Sequence, residues 1–153
     1  MGKTMFLERS VEIDRPVAEV FNYVRFIGNH RHFNIWQMAD PDMQVTSAGD
    51  DGEVGFVHSW DSRVRNVGAG SQEITEILGR ERISYELRFE RPMQATNYSN
   101  VHFLSLPRQR TRVTWDFSGD LVFPMSLFSF FLRRMLARDI DKNLANLKAI
   151  LEK

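Results

Sequence analysis

The stretch at residues 124–153 most constrains what this chain can fold into. Apolar residues recur there at Phe128, Leu132, Met135, Leu136, Ile140, Leu144, Leu147 and Leu151. Steps of three and four place them on one stripe of an α-helix. Arg133, Arg134, Arg138, Asp141, Lys142 and Lys148 fill most of the remainder and can face water. Pro124 suits a helix entrance, because it cannot continue a strand ladder. Roughly 27 residues at about 1.5 Å each make a rod of about 40 Å. Such a rod, apolar along one side, needs a wide partner surface. Nearly all the rest of the chain reads as strands, so a curved sheet wrapped around this helix is expected.

The totals narrow the class. A chain of 153 residues is one domain by the usual prior, here 1–153. Hydrophobic content of 42% with 26% charge allows a full core. Lys plus Arg equals Asp plus Glu at 20 each, which argues against a dedicated nucleic-acid surface. The chain has no Cys, hence no disulfide framework, no thiolate nucleophile and no Cys-ligated metal, a composition that fits the cytoplasm. The opening MGKTMFLERS is too short in its apolar part for a signal peptide. The apolar run at 121–132 is well below the roughly 18 residues that span a bilayer.

In chain order, residues 6–13 read as a first strand and 15–25 as a short amphipathic helix behind Asp14 and Pro16. Gly28 and Asn29 break it, and residues 30–36 read as a second short helix or turn. Strands follow at 43–47, 54–62, 71–78, 82–91, 95–106 and 111–119, separated by turn-rich stretches. Ile83, Tyr85, Leu87 and Phe89 alternate with Ser84, Glu86, Arg88 and Glu90, the clearest half-buried pattern in the chain. Hairpin-length connections imply an antiparallel sheet, and segregated helices imply an α+β fold.

A connection spanning 107–110 sets Leu106 opposite Thr111, and therefore His102 opposite Trp115 and Asn100 opposite Phe117. Tyr98, Asn100 and His102 then share the inward face with Trp115 and Phe117. A slip of one residue reverses that assignment.

This order resembles the helix-grip fold of the START/Bet v 1-like (SRPBCC) superfamily, and most of all its polyketide cyclase/dehydratase-like branch. The residues that carry it begin with Val11-x-Ile13-x-x-Pro16-x-x-x-Val20-Phe21-x-Tyr23-Val24. Asn29, Phe33-Asn34-x-Trp36 and Gly52-x-Val54-Gly55 come next, then Gly70-x-Gln72-Glu73-Ile74 and Arg82-Ile83-x-Tyr85. Thr111-Arg112-Val113-Thr114-Trp115 and Leu144-x-Asn146-Leu147-Lys148-x-x-Leu151 complete it. Phe33 departs from the Trp of many relatives, so the pocket mouth is expected to differ. The resemblance implies a curved antiparallel sheet gripping a long C-terminal helix, with two short helices after strand one. It also implies a cavity between sheet and helix for a small hydrophobic molecule, lipid-, sterol- or polyketide-like. The alternative it carries is a cyclase/dehydratase-type enzyme on the same cavity.

The expected ligand contacts are Phe56, His58, Trp60, Tyr85, Tyr98, Asn100, His102, Trp115, Phe117, Phe128 and Met135. Each aromatic residue taken alone also reads as plain core. His58 and His102 have two readings: core histidines with one hydrogen bond each, or a ligand contact or general base in an enzyme. Asp116 falls on the face opposite Trp115 and reads as solvated, while Glu76 could face inward near Tyr85. His30 and His32 are two apart, but no carboxylate stands at ligand spacing, so no metal and no cofactor are expected. Phe123, Phe128, Phe130 and Phe131 crowd the helix entrance, and a helix cannot bury them all inward. A pocket lid or a homodimer contact ranks above a membrane contact for the excess.

Overall fold

The computed structural model of the chain describes residues 2–122 and 125–153. The clean alternation at Ile83, Tyr85 and Leu87 sits in the centre of one sheet, with Ile83 and Tyr85 buried. The strands are β1 (Gly2–Ile13), β2 (Gln44–Ala48), β3 (Val57–Asp61), β4 (Ala69–Leu78), β5 (Arg82–Arg91), β6 (Ala95–Leu106) and β7 (Arg110–Val122). They form one antiparallel sheet of seven strands in the order β1-β7-β6-β5-β4-β3-β2. Between β1 and β2 lie α1 (Val17–Val24), a 3-10 helix (Ile27–His32) and the one-turn α2 (Ile35–Met38). After β7 come a 3-10 turn (Met125–Phe128) and the long α3 (Ser129–Leu151). The expected entrance residue Pro124, with Phe123, lies outside the described residues.

This is the expected helix-grip α+β fold, a long C-terminal helix against a curved antiparallel sheet. The grip is tightest at the C-terminal end. Ile140, Asn143, Leu144 and Leu147 are buried against β1, β7 and α2. Polar bonds tie the helix to the first strand: Arg9 Nε donates to Asp141 Oδ1 at 2.8 Å, and Lys148 Nζ to the Glu12 carbonyl at 2.7 Å. The stripe read from the sequence is thus satisfied from Leu136 onward. Phe128 and Met135, expected to face the cavity, are each 52% exposed.

The β6–β7 connection is one residue shorter than expected. It spans Pro107, Arg108 and Gln109, with φ of 67° at Arg108 and 58° at Gln109. Leu106 therefore pairs with Arg110, His102 with Thr114, and Asn100 with Asp116. That single step inverts the expected facing of Tyr98, Asn100 and His102. They lie on the outer face of the sheet, and Ser99, Val101 and Phe103 point inward instead, all buried.

Candidate functional site: the polar wall inside the grip

The interior of the grip is lined by apolar side chains around a few polar atoms. Its floor comes from strands and the residue that leads into β3: Phe56, Ile74, Tyr85, Trp115 and Phe117 are all buried. Its plug comes from the segment after α1. Ile27, His30 and Phe33 are 1%, 2% and 1% exposed, one full turn of a 3-10 helix apart. Phe33 meets Trp115 edge to face at 6.4 Å between ring centres, and Trp36 does the same at 6.2 Å. Asp51 anchors the start of this segment by accepting from the amides of Ile27 and Gly28 at 2.7 and 2.9 Å.

Four buried side chains have polar atoms with no hydrogen-bond partner among the described residues: Asn143 Nδ2 on α3, whose Oδ1 is used by the Ile35 amide, and, on the sheet side, His30 Nδ1, His58 Nε2 and the Tyr85 hydroxyl. His30 Nε2 lies 2.8 Å from the Val24 carbonyl. A carbonyl only accepts, so Nε2 carries the proton and Nδ1 is left as a bare acceptor. The His30 ring lies 6.1 Å from that of Tyr85 and 5.0 Å from that of Phe33. Burial sets the charge states. It pushes the His30 imidazole down to about 4 against the pull of the Val24 carbonyl and Asp51. It also lowers His58 and raises Tyr85. Both histidines are therefore neutral at neutral pH, and the phenol keeps its proton.

This chemistry favours recognition over proton transfer. A general base works best with a pKa near the operating pH, and burial moves His30, His58 and Tyr85 away from it. A bare imidazole nitrogen beside a phenol can instead hold a neutral hydroxyl or carbonyl group. The wall has few polar groups among many aromatic ones, the usual make-up of a small-molecule site.

Of the expected contacts, Phe56, His58, Tyr85, Trp115 and Phe117 share the interior. Trp60 is half-buried, with its indole packed over Gly70 and against Phe89 at 5.8 Å. A Cβ at Gly70 would come within 2.8 Å of that ring, so only glycine admits it. Phe128 and Met135 are outside. Glu76 is exposed and pairs with Arg82. His30 was not on the list, although the three-residue recurrence of Ile27, His30 and Phe33 marked it. His32 is exposed and points elsewhere, so the two histidines do not converge.

Tyr98, Asn100 and His102 belong to the outer face, where Asp116 is not solvated as expected but 5% exposed. Its Oδ1 accepts from the Asn100 amide at 2.8 Å, and its Oδ2 accepts from His102 Nε2 at 2.9 Å. Ser84 extends the row by donating to Asn100 Oδ1 at 2.5 Å. Charge-assisted bonds to Asp116 staple β6 to β7, and the neutral Ser84–Asn100 bond carries the row on to β5. Asp116→Ala is expected to lower the unfolding free energy by about 2 kcal/mol, with Asp116→Asn recovering much of it. Urea unfolding measures both, and a loss in Ala below about 0.5 kcal/mol would make the row ornamental.

The comparisons agree with this architecture. Norcoclaurine synthase from Thalictrum flavum, in complex with dopamine and hydroxybenzaldehyde, superposes with a TM-score of 0.72 at 8% identity, covering 98% of this chain and 87% of that one. A hypothetical protein from Helicobacter pylori gives 0.71 at 12% identity, over 97% and 88%. A protein from Nitrosospira multiformis gives 0.65 at 19% identity, over 95% and 94%. At such identities the likeness is one of fold. No curated protein matches the sequence. The model of the family described as "Polyketide cyclase / dehydrase and lipid transport" matches residues 6–152, and the chain belongs to that family, within the START/Bet v 1-like superfamily.

Proposed function

We propose that this protein binds a small, largely apolar molecule through one neutral hydroxyl or carbonyl group, held by His30, His58 and Tyr85. The observation that carries this reading is that His30 Nδ1, His58 Nε2 and the Tyr85 hydroxyl, three of the four unpartnered polar atoms on buried side chains among the described residues, sit among the aromatic side chains of one interior. Each such atom costs about 1–3 kcal/mol if nothing pairs with it, and a ligand that pairs with it recovers that cost. Family membership supports the reading, since lipid transport is part of the family's own description. Phe33 and Trp36 fill the space over Trp115, so entry requires the plug segment to lift. Its ties to α3 are few: Ile35 N–H to Asn143 Oδ1, Trp36 Nε1–H to Asp139 Oδ2, and Asn146 Nδ2–H to the Phe33 carbonyl.

The test pairs two probes of one shape, naphthalene and 1-naphthol. Wild-type protein is expected to hold 1-naphthol on the order of ten-fold tighter. Tyr85→Phe removes that preference while leaving stability unchanged or slightly higher, because a lone buried hydroxyl is lost. Equal affinity for the two probes, or binding of neither, would sink the proposal. Native mass spectrometry of protein from its own host then identifies the resident molecule.

A further inference from the structure

The first half of α3 faces the wrong way for a helix held in a grip. Leu127, in the turn just before it, and Phe130 and Phe131 are each 69% exposed, and the two phenylalanine rings pack on each other at 5.8 Å rather than on the core. Patches of this kind mark interaction surfaces. Arg133, Arg134 and Arg138 are interleaved with them, and the helix has no acid before Asp139. Among the described residues none of these three arginines makes an ion pair. The acids that follow are engaged, Asp139 by the Trp36 indole and Asp141 by Arg9. Phe131, Met135, Arg138 and Lys142 follow at steps of four, three and four, so they share one flank of the helix. That flank forms a shallow hollow with Arg134 and Asp139.

We propose that this half of α3 docks on an anionic lipid surface, with Phe130 and Phe131 entering the boundary between headgroups and acyl chains. The charge pattern selects this occupant. Free cations around protruding aromatic rings complement lipid phosphates and carboxylates, and a bilayer accepts such rings without a shaped pocket. A second copy is a poorer fit, because a two-fold contact through this flank sets the same arginines against themselves. Phe128, expected to contact a ligand in the cavity, is exposed beside this patch instead. Among the described residues no helix is long and apolar enough to cross a bilayer, so the contact is peripheral.

Co-sedimentation of the whole chain with phosphatidylcholine vesicles, with and without phosphatidylserine, tests this. Binding is expected on the anionic vesicles, falling as salt rises. Arg134→Ala and Arg138→Ala are each expected to weaken it about five-fold, and Phe131→Ser on the order of ten-fold. All three positions are exposed, and circular dichroism checks that the fold survives. Equal partition onto both vesicle types, or onto neither, overturns the proposal. So does a dimer in sedimentation velocity that Phe131→Ser dissolves, which would assign the patch to a second copy.

Discussion

Phe33→Ala is expected to lower the unfolding free energy by about 3–5 kcal/mol, the largest effect of any single truncation argued for this protein. Phe33 is 1% exposed and joins three parts of the fold. Its ring meets Tyr23 at 6.2 Å, His30 at 5.0 Å and Trp115 at 6.4 Å. Its carbonyl accepts from Asn146 of α3 at 3.1 Å, and its amide donates to the His30 carbonyl at 3.1 Å. Alanine keeps those backbone bonds and removes the ring, so the loss isolates packing plus the hole left behind. Urea unfolding followed by tryptophan fluorescence reads it directly, since Trp36 and Trp115 flank the site. A loss under about 1 kcal/mol would show that the segment collapses freely into the space, and that it is not the plug of the grip.

The sheet was legible where side-chain alternation was strict. Ile83, Tyr85, Leu87 and Phe89, bounded by Gly79 and Pro92, gave β5 its observed limits, Arg82–Arg91. The β6–β7 register was not legible. Its loop turns through left-handed backbone at Arg108 and Gln109, two residues that advertise no such conformation, whereas glycine or asparagine would have. One residue of loop length then inverted every assignment on β6. On α3 the helical period stated which residues share a face, but not how far the partner surface extends. Ile140, Leu144 and Leu147 found it, while Phe128 and Met135 lie beyond it.

The interior site was half legible. His58 and Tyr85 follow from period-two alternation on β3 and β5, which assigns faces without any knowledge of partners. His30 does not, because a pairing by chemistry with His32 hid a pairing by period with Ile27 and Phe33. Chemistry-bearing residues in a 3-10 segment need to be read at steps of three. In the outer row, Asn100 and His102 were misplaced for the register alone; Asp116 was read on the correct face, but as solvated rather than bonded to them.

Acid is expected to destabilise this fold by about 3 kcal/mol through His30 alone. Burial holds its folded-state pKa near 4, against about 6.5 for a histidine in the unfolded chain. Above pH ~6.5 both states hold it neutral, and its contribution to stability is fully present. Between the two values the unfolded chain takes up a proton that the folded protein refuses. Stability then falls by about 1.4 kcal/mol per pH unit, and below pH ~4 the loss from this group is complete. His58 is lowered for the same reason and adds loss of the same sign, while Asp51 opposes the shift in both. Urea midpoints across this range, for wild type and His30→Gln, separate the contributions. The variant should lose about one proton's worth of slope and keep what His58 supplies. Identical slopes would mean that His30 meets water in the folded protein, which removes the basis for a bare acceptor at Nδ1. If the slopes differ as expected, binding should follow the same group. Protonation turns Nδ1 from an acceptor into a donor, so the preference for 1-naphthol over naphthalene should fade as the pH nears 4.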